Sequence, residues 1–148
     1  MTSEKPTAGL IDSAAQVLIV DDNVQYIQVL KRILQNGLGY LNVTAVDSTK
    51  KAFELINQDP QRFKLLFVDY HFPGGETGVK LLERLREAHL LSNKVAFLVT
   101  AEPSTENLKQ AMAVGAKGIV AKPFDSVELR KQIEKAERAI AVEKGEGF

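Results

Sequence analysis

Short apolar runs alternate with amphipathic stretches along the chain, and this alternation occurs five times. The apolar runs predict five strands, at residues 17–20, 41–46, 65–68, 95–99 and 118–121. After each run, apolar residues recur at the three- and four-residue spacing of a helix. Repeated strand–helix units need right-handed crossovers, so we expect an α/β fold with a doubly wound, five-stranded parallel sheet and five flanking helices.

Polar residues and glycine mark the ends of the predicted helices. Residues 21–23 precede the first helix, and Gly37 ends it. Ser104 is placed to cap the fourth helix, and residues 125–128 resemble a capping box. The last helix, from Glu128 to about Glu143, has one apolar face. Gly145 and Gly147, just after it, favour a helix that packs on the sheet and frays over a second interpretation, in which the helix begins a linker to an output domain or binds a partner.

Composition and charge narrow the possible functions. The chain has 148 residues, enough for one domain, and its 19 basic residues balance 19 acidic ones. We therefore expect no direct nucleic-acid binding. The absence of cysteine excludes disulfides, thiolate metal sites and cysteine nucleophiles. With no long apolar run and no secretory signal, we expect a cytoplasmic protein that does not bind membranes. Its domain would span 16–142, between a flexible tail at 1–15 and a C-terminal tail at 143–148.

Reactive polar residues follow four of the five predicted strands. Asp21 and Asp22 follow the first strand, Asp69 the third, Thr100 the fourth and Lys122 the fifth. Taken singly, each has an ordinary interpretation as a helix cap, a turn residue, a strand-end threonine or a solvated charge. The carboxyl ends of parallel strands share one edge of the sheet, where ligands bind. The coincidence at that edge therefore predicts one shared pocket.

This set of side chains suits phosphoryl transfer. Three clustered carboxylates repel one another, and a hard divalent cation such as Mg²⁺ relieves that repulsion through oxygen ligands. A carboxylate beside bound Mg²⁺ can act as the nucleophile toward a phosphoryl group. A lysine ammonium and a hydroxyl group can offset the charge on the transferred phosphoryl oxygens.

Four segments resemble a known family in the same order along the chain. They are VLIVDDN (17–23), LLFVDYHFPGGETG (65–78), VTAEP (99–103) and AVGAKGIVAKPF (113–124). Together they resemble the receiver domain of bacterial two-component response regulators, in particular the chemotaxis receivers. The resemblance implies a flavodoxin-like fold with strand order 2-1-3-4-5. In that order the four strands with polar ends are neighbours, and the second strand lies at the edge.

The resemblance also implies a role for each residue of the pocket. Asp69 would be the phosphoacceptor. Asp21, Asp22 and Asp69 would hold Mg²⁺ together with the backbone carbonyl of His71. Lys122 would pair with a phosphoryl oxygen. The peptide bond between Lys122 and Pro123 would be cis.

Switching and tuning roles follow from the same resemblance. Thr100 would bind the phosphoryl group and pull the next loop inward. Ile119 stands where the family usually has an aromatic residue, so switching would either lack the aromatic rotamer step or use aliphatic repacking. His71 and Glu102 would flank the phosphoryl site and tune the access of water to it. The loop at 73–78 is one residue longer than is common, and Asp47, after the second strand, is expected to cap a helix rather than bind metal.

The expected function is therefore a signalling phosphoacceptor, not an enzyme with turnover. A sensor histidine kinase or phosphotransfer protein would donate the phosphoryl group, and the fourth helix, fifth strand and fifth helix would form the output face. An output domain or downstream protein, and a phosphorylation-dependent homodimer, are possible further partners. Two alternatives remain open: a Mg²⁺-dependent phosphatase-like hydrolase with an aspartate nucleophile, and an interaction module that works without phosphorylation.

Overall fold

Five parallel strands, flanked by helices, form the centre of this computed structural model, which describes residues 13–143. In chain order the elements are β1 (Gln16–Val20), α1 (Val24–Arg32), β2 (Asn42–Val46), α2 (Thr49–Gln58), β3 (Phe63–Asp69), α3 (Gly78–Glu87), β4 (Val95–Thr100), α4 (Thr105–Ala113), β5 (Gly118–Ala121) and α5 (Ser126–Glu143). The strand order is β2-β1-β3-β4-β5, and each neighbouring pair is parallel. The predicted fold class and strand order are confirmed.

The side chains of the sheet alternate between two apolar layers. On one face, Leu66 and Val68 of β3 pack with the buried residues of α2, α3 and α4. On the other face, Leu65 and Phe67 pack with the buried residues of α1 and α5. Because helices cover both faces, β3 is apolar at successive positions, as parallel strands in such folds are.

Short polar side chains begin the helices, mostly where the sequence predicts them. Asn23 caps α1 by accepting a hydrogen bond from the backbone of Tyr26, and Ser104 caps α4 in the same way. Asp125 accepts hydrogen bonds from two backbone N–H groups at the start of α5. The helical path after α1 continues as a π-helical turn, Ile33–Gly37, and ends at the predicted glycine.

The prediction that Asp47 caps a helix is wrong. Ser48 is the cap of α2, and its side chain accepts a hydrogen bond from the backbone of Lys51. Asp47 therefore lies one residue before the cap, where its carboxylate reaches Lys51 Nζ at 3.0 Å across one helical turn. This ion pair is exposed, and it lowers the pKa of Asp47 through the hydrogen bond and charge of Lys51.

The two predicted tails fall largely outside the described residues. Residues 1–12 and 144–148 lie beyond them. Ser13, within the predicted N-terminal tail, accepts a hydrogen bond from the backbone of Leu41 at 3.1 Å, so this part of the tail is tied to the start of β2. At the other end, α5 includes Glu143 and packs Leu129, Ile133 and Ala136 against the sheet. Within residues 13–143, no helix has both the length and the apolar character needed to cross a membrane.

Candidate functional site

The polar residues predicted to share a pocket lie together at the carboxyl edge of the sheet. Backbone hydrogen bonds extend just beyond the strands and hold these ends in place. The backbone N–H of Asp21 donates to Val46 at 3.1 Å, and that of Lys122 donates to Thr100 at 2.9 Å. Because β1, β3, β4 and β5 are consecutive in the sheet, four separate chain segments contribute to one site.

A buried lysine joins two carboxylates at the centre of this site. Lys122 Nζ lies 3.2 Å from Asp21 Oδ2 and 3.0 Å from Asp69 Oδ1. The three side chains are 8%, 6% and 11% exposed, in the order Lys122, Asp21, Asp69. Charges with so little access to water interact strongly, and each needs its partners to remain ionised.

Burial and neighbouring charges act on the pKa values of this pair. Burial raises the pKa of the Asp69 carboxyl, and the negative charges of Asp21 and Asp22 raise it further against the opposing effect of Lys122. For Lys122, burial alone would lower the pKa, but the hydrogen bond and charge of Asp69, together with Asp21, raise it above the ordinary value. The ammonium group of Lys122 therefore stays charged. The three carboxylates of the site together carry more negative charge than this one ammonium group can balance.

Three carboxylates of the site are close enough to share one cation. Asp21, Asp22 and Asp69 each offer an oxygen, and these oxygens lie within 4.8 Å of one another. Asp21 Oδ1 also accepts a hydrogen bond from the backbone N–H of Asn23 at 2.9 Å, which fixes the turn that carries Asp22. Excess negative charge and an all-oxygen donor set fit a hard divalent cation such as Mg²⁺.

Thr100 is buried at the end of β4, and its hydroxyl is tied to the following loop. Its Oγ1 accepts a hydrogen bond from the backbone N–H of Glu102 at 3.1 Å, so the hydroxyl hydrogen is left to donate elsewhere. The carbonyl of Glu102 in turn accepts a hydrogen bond from Asn107 of α4 at 2.8 Å. One short chain of contacts thus links the site to α4.

Hydrogen bonds and an ion pair fix the shape of the loop after Asp69. The backbone N–H of Phe72 donates to the carbonyl of Glu76 at 3.1 Å, which closes a small turn at the tip of the loop. The Glu76 carboxylate anchors this turn by accepting from the buried Thr49 hydroxyl at 3.2 Å and pairing with Arg84 at 3.5 Å. Gly74 and Gly75, at the tip of this loop, are exposed.

The inner end of the same loop is tightly constrained. Gly78 begins α3 directly beneath the phosphoacceptor candidate, and its N–H donates to the carbonyl of Tyr70 at 2.9 Å. A Cβ atom at Gly78 would lie 2.3 Å from the backbone oxygen of Asp69 and 2.7 Å from a methyl group of Leu98. Only glycine fits here, so this residue sets the position of Asp69.

The remaining predicted residues border the site without joining its ion-paired centre. His71 is exposed, and its ring lies 4.6 Å from that of Tyr70, centroid to centroid. Glu102 is exposed in the loop after Thr100. Ile119 lies half-buried in β5 and packs against the apolar layer that α2, α3 and α4 cover. The peptide bond between Lys122 and Pro123 is cis.

Two aromatic residues at the site were not anticipated from the sequence. The Lys122 Nζ lies 3.9 Å from the centroid of the Tyr26 ring, and Phe124 meets that ring edge-on. Position alone could have indicated Tyr26, because it stands in the first turn of the helix that follows the acidic pair. In a doubly wound sheet, that turn borders the carboxyl edge.

Comparisons with known proteins agree with this geometry. The family model of the response regulator receiver domain matches residues 17–134. The chemotaxis protein CheY of Pseudomonas aeruginosa is 32% identical over 81% of this chain and 94% of its own length. Among solved structures, CheY4 of Vibrio cholerae has a TM-score of 0.73 and 28% identity, over 83% of this chain and 98% of that one.

A more distant structure shares the fold. The receiver domain of the histidine kinase CKI1 from Arabidopsis thaliana, solved with Mg²⁺ and BeF₃⁻, has a TM-score of 0.73 at 22% identity and covers 83% of this chain and 89% of that one. The family match covers most of the chain and includes all four segments that carry the polar edge. The chain belongs to the response regulator receiver domain family.

Proposed function

We propose that Asp69 accepts a phosphoryl group from a sensor histidine kinase or a phosphotransfer protein, and that the modified domain then signals to a downstream partner. The observation that carries this proposal is the buried Asp69 carboxylate, paired with Lys122 at 3.0 Å and within 4.8 Å of two further carboxylates. A lone structural ion pair needs one acid and one base, whereas here two carboxylates pair with the lysine and a third, from Asp22, lies close to them.

Asp69 is the best placed of the three carboxylates to act as the nucleophile. Both oxygens of Asp21 are engaged, one with Lys122 and the other with the backbone of Asn23. Of the Asp69 oxygens, Oδ1 pairs with Lys122, and no residue in the described range 13–143 donates a hydrogen bond to Oδ2. In the transfer, this oxygen forms a bond to phosphorus while the P–N bond to the donor imidazole breaks, and the imidazole keeps the electron pair.

The acidic cluster fits a bound Mg²⁺ ion. Asp21, Asp22 and Asp69 would hold it, with the backbone carbonyl of His71 as a further oxygen ligand. The bound ion would supply positive charge that offsets the phosphoryl oxygens. Lys122 and Thr100 add to that effect from the protein side, the first as a charge beside Asp69 and the second through its free hydroxyl hydrogen.

Switching would follow from the link between Thr100 and α4. A hydrogen bond from the Thr100 hydroxyl to the phosphoryl group would draw the loop at Glu102 inward, and Asn107 would transmit that movement to α4. Ile119 would repack as the loop moves, since it borders the same apolar layer. The face formed by α4, β5 and α5 then changes shape, as in other domains controlled by phosphorylation. We place this activity in the cytoplasm, and homodimerisation on phosphorylation remains a prediction.

Incorporation of a phosphoryl group from a small donor tests the proposal. The purified chain is incubated with Mg²⁺ and acetyl phosphate, and intact mass is measured with and without a chelator. We expect one added phosphoryl group, lost in Asp69→Asn and reduced on chelation. Asp47→Asn is the matched control, because this exposed aspartate follows β2 just as the active aspartates follow their strands.

Two outcomes would contradict the proposal. Equal incorporation by the wild type and Asp69→Asn would move the phosphoacceptor elsewhere. Steady multiple turnover of a small phosphoester would instead support the phosphatase-like hydrolase, since a receiver releases its own phosphoryl group only once for each modification.

A further inference from the structure

The face of the Tyr26 ring covers one side of the Lys122 ammonium group. Lys122 Nζ lies 3.9 Å from the ring centroid, 3.0 Å from Asp69 Oδ1 and 3.2 Å from Asp21 Oδ2. An ammonium group has three N–H bonds. Two are directed by carboxylates, and the aromatic face occupies the remaining side. The ring thus stands where water would otherwise solvate the charge.

Contacts on two sides hold the Tyr26 ring in this position. The backbone N–H of Tyr26 donates to the side chain of Asn23 at 3.0 Å, which fixes the first turn of α1. On the other side, the Phe124 ring meets the Tyr26 ring edge-on, with centroids 6.1 Å apart and planes at 90°. This edge-to-face arrangement is a favoured one for aromatic pairs. The ring is therefore fixed by both α1 and the segment that carries Lys122.

The ring face, not the hydroxyl group, makes the contact that matters. Within residues 13–143, no hydrogen bond involves the Tyr26 hydroxyl. The negative quadrupole of an aromatic face attracts a cation, most strongly when the cation is removed from water. The Lys122 side chain is only 8% exposed, so this condition holds. An aliphatic side chain would fill the same space but would not attract the charge.

We propose that Tyr26 is a positioning residue that holds the Lys122 ammonium beside the phosphoryl oxygens and screens that ion pair from water. The proposal rests on the proposed phosphoacceptor role of Asp69. Hydrolysis of the modified aspartate requires water to attack phosphorus while the bond from phosphorus to the Asp69 oxygen breaks. A ring that fixes Lys122 and excludes water from its side slows that attack. Tyr26 thereby lengthens the lifetime of the phosphorylated state.

The decay rate of the phosphorylated chain tests this role. Tyr26→Phe keeps the aromatic face, and Tyr26→Leu removes it while keeping an apolar side chain. We expect Tyr26→Phe to decay within about twofold of the wild type and Tyr26→Leu to decay about tenfold faster, the range of a desolvated cation–π contact. Val29→Ala, at an exposed position on the same helix, is the control for disturbance of α1.

A graded series separates attraction from shape. Phenylalanine analogues with increasing fluorination at residue 26 keep the ring but weaken its negative face. A lifetime that falls steadily along this series supports the proposal, and it does so even if Tyr26→Leu fails to fold. Equal lifetimes across the series, or equal decay of the Phe and Leu variants, overturn it.

An NMR measurement on the unmodified chain gives a second readout. The ε-methylene protons of Lys122 should show an upfield ring-current shift in the wild type and in Tyr26→Phe, and this shift should vanish in Tyr26→Leu. A wild-type spectrum without the shift overturns the inference but leaves the proposed function standing. If the wild type takes up no phosphoryl group at all, the proposed function fails and the inference fails with it.

Discussion

Two buried lysines, at opposite ends of the sheet, face opposite electrostatic environments. Lys122, at the carboxyl edge, lies between the carboxylates of Asp21 and Asp69. Lys94, just before β4 at the amino edge, is 5% exposed, and its hydrogen-bond acceptors are neutral oxygens. Its Nζ donates to the carbonyl of Pro60 at 2.5 Å and to the side chain of Asn93 at 3.0 Å.

The pKa values of the two lysines consequently move in opposite directions. Burial above all, and also the positive charge of Lys64, lower the pKa of Lys94 to about 8, and Asp59 only partly opposes the change. For Lys122, the carboxylates outweigh burial, and the pKa rises. The difference teaches that burial alone does not decide whether a lysine stays charged. Carboxylate partners stabilise the charged form of Lys122. Neutral partners do not offset the cost of burying the charge of Lys94.

The largest expected effect comes from removing Lys122. In Lys122→Met, the Asp21 and Asp69 carboxylates stay buried without their counter-ion, and we expect the free energy of unfolding to fall by about 3 kcal/mol in the absence of divalent cations. Urea denaturation measures this change. Adding Asp69→Asn to Lys122→Met should recover most of the loss, because the Asp69 carboxylate no longer repels that of Asp21. If Lys122→Met were as stable as the wild type, the ion pairs of Lys122 would not contribute to stability.

Substitution of Gly78 should disturb the carboxyl edge and leave the amino edge unchanged. The new Cβ of Gly78→Ala would collide with the backbone oxygen of Asp69 at 2.3 Å, so the end of β3 must shift. We expect a loss of about 2 kcal/mol in unfolding free energy, typical of overpacking, together with weaker beryllofluoride binding. Gly37→Ala is the control, since the nearest atom to its added Cβ is 3.9 Å away. Equal losses in the two variants would show that Gly78 does not position Asp69.

The stability of the wild type should rise with pH where Lys94 titrates. Because its pKa in the fold is about 8 and its ordinary value is 10.5, the unfolded chain binds more protons than the folded chain between these values. The free energy of unfolding of the wild type, relative to Lys94→Met, should therefore increase by about 2 kcal/mol from about pH 7 to about pH 9.5. Denaturation of both proteins across this range measures the difference. Parallel pH profiles would contradict a lowered pKa.

A carboxylate beside Lys94 should make the amino edge resemble the carboxyl edge. Asn93→Asp places a negative charge at the oxygen that now lies 3.0 Å from Lys94 Nζ. We expect the Lys94 pKa to rise by about one unit, which corresponds to about 1.4 kcal/mol of added stability at neutral pH. The pH dependence of unfolding should also flatten. Asn93→Ala is the matched control, and a pH profile shared by the two variants would refute the effect of the charge.

The fold and the ion-paired edge could be predicted because each depends on local sequence. The strand patterns gave 118–121 without error and the others to within two residues at either end, since apolar runs and capping residues act over a few positions. Asp21, Asp69, Thr100 and Lys122 converge because every strand of a parallel sheet ends at the same edge. Topology alone places them together.

Contacts between distant side chains could not be predicted in the same way. The position of Lys94 depends on the carbonyl of Pro60, which lies just before the neighbouring strand β3, and the residues beside Lys94 in sequence do not indicate that contact. The Tyr26 ring reaches Lys122 only because α1 and the end of β5 border one site. Asp47 looked like a cap because capping preferences differ little between Asp and Ser. A shift of one residue in the start of α2 decided between them.

The contacts of Glu76 divide the loop after Asp69 into two parts with different steric constraints. At the inner part, Gly78 admits no side chain without displacing Asp69. At the outer part, a Cβ added to Gly74 or Gly75 would have no atom within 4 Å, and the positive φ angles of 75° and 80° are what favour glycine there. A change in the length of this tip would therefore alter the outer surface of the loop and leave the position of Asp69 unchanged.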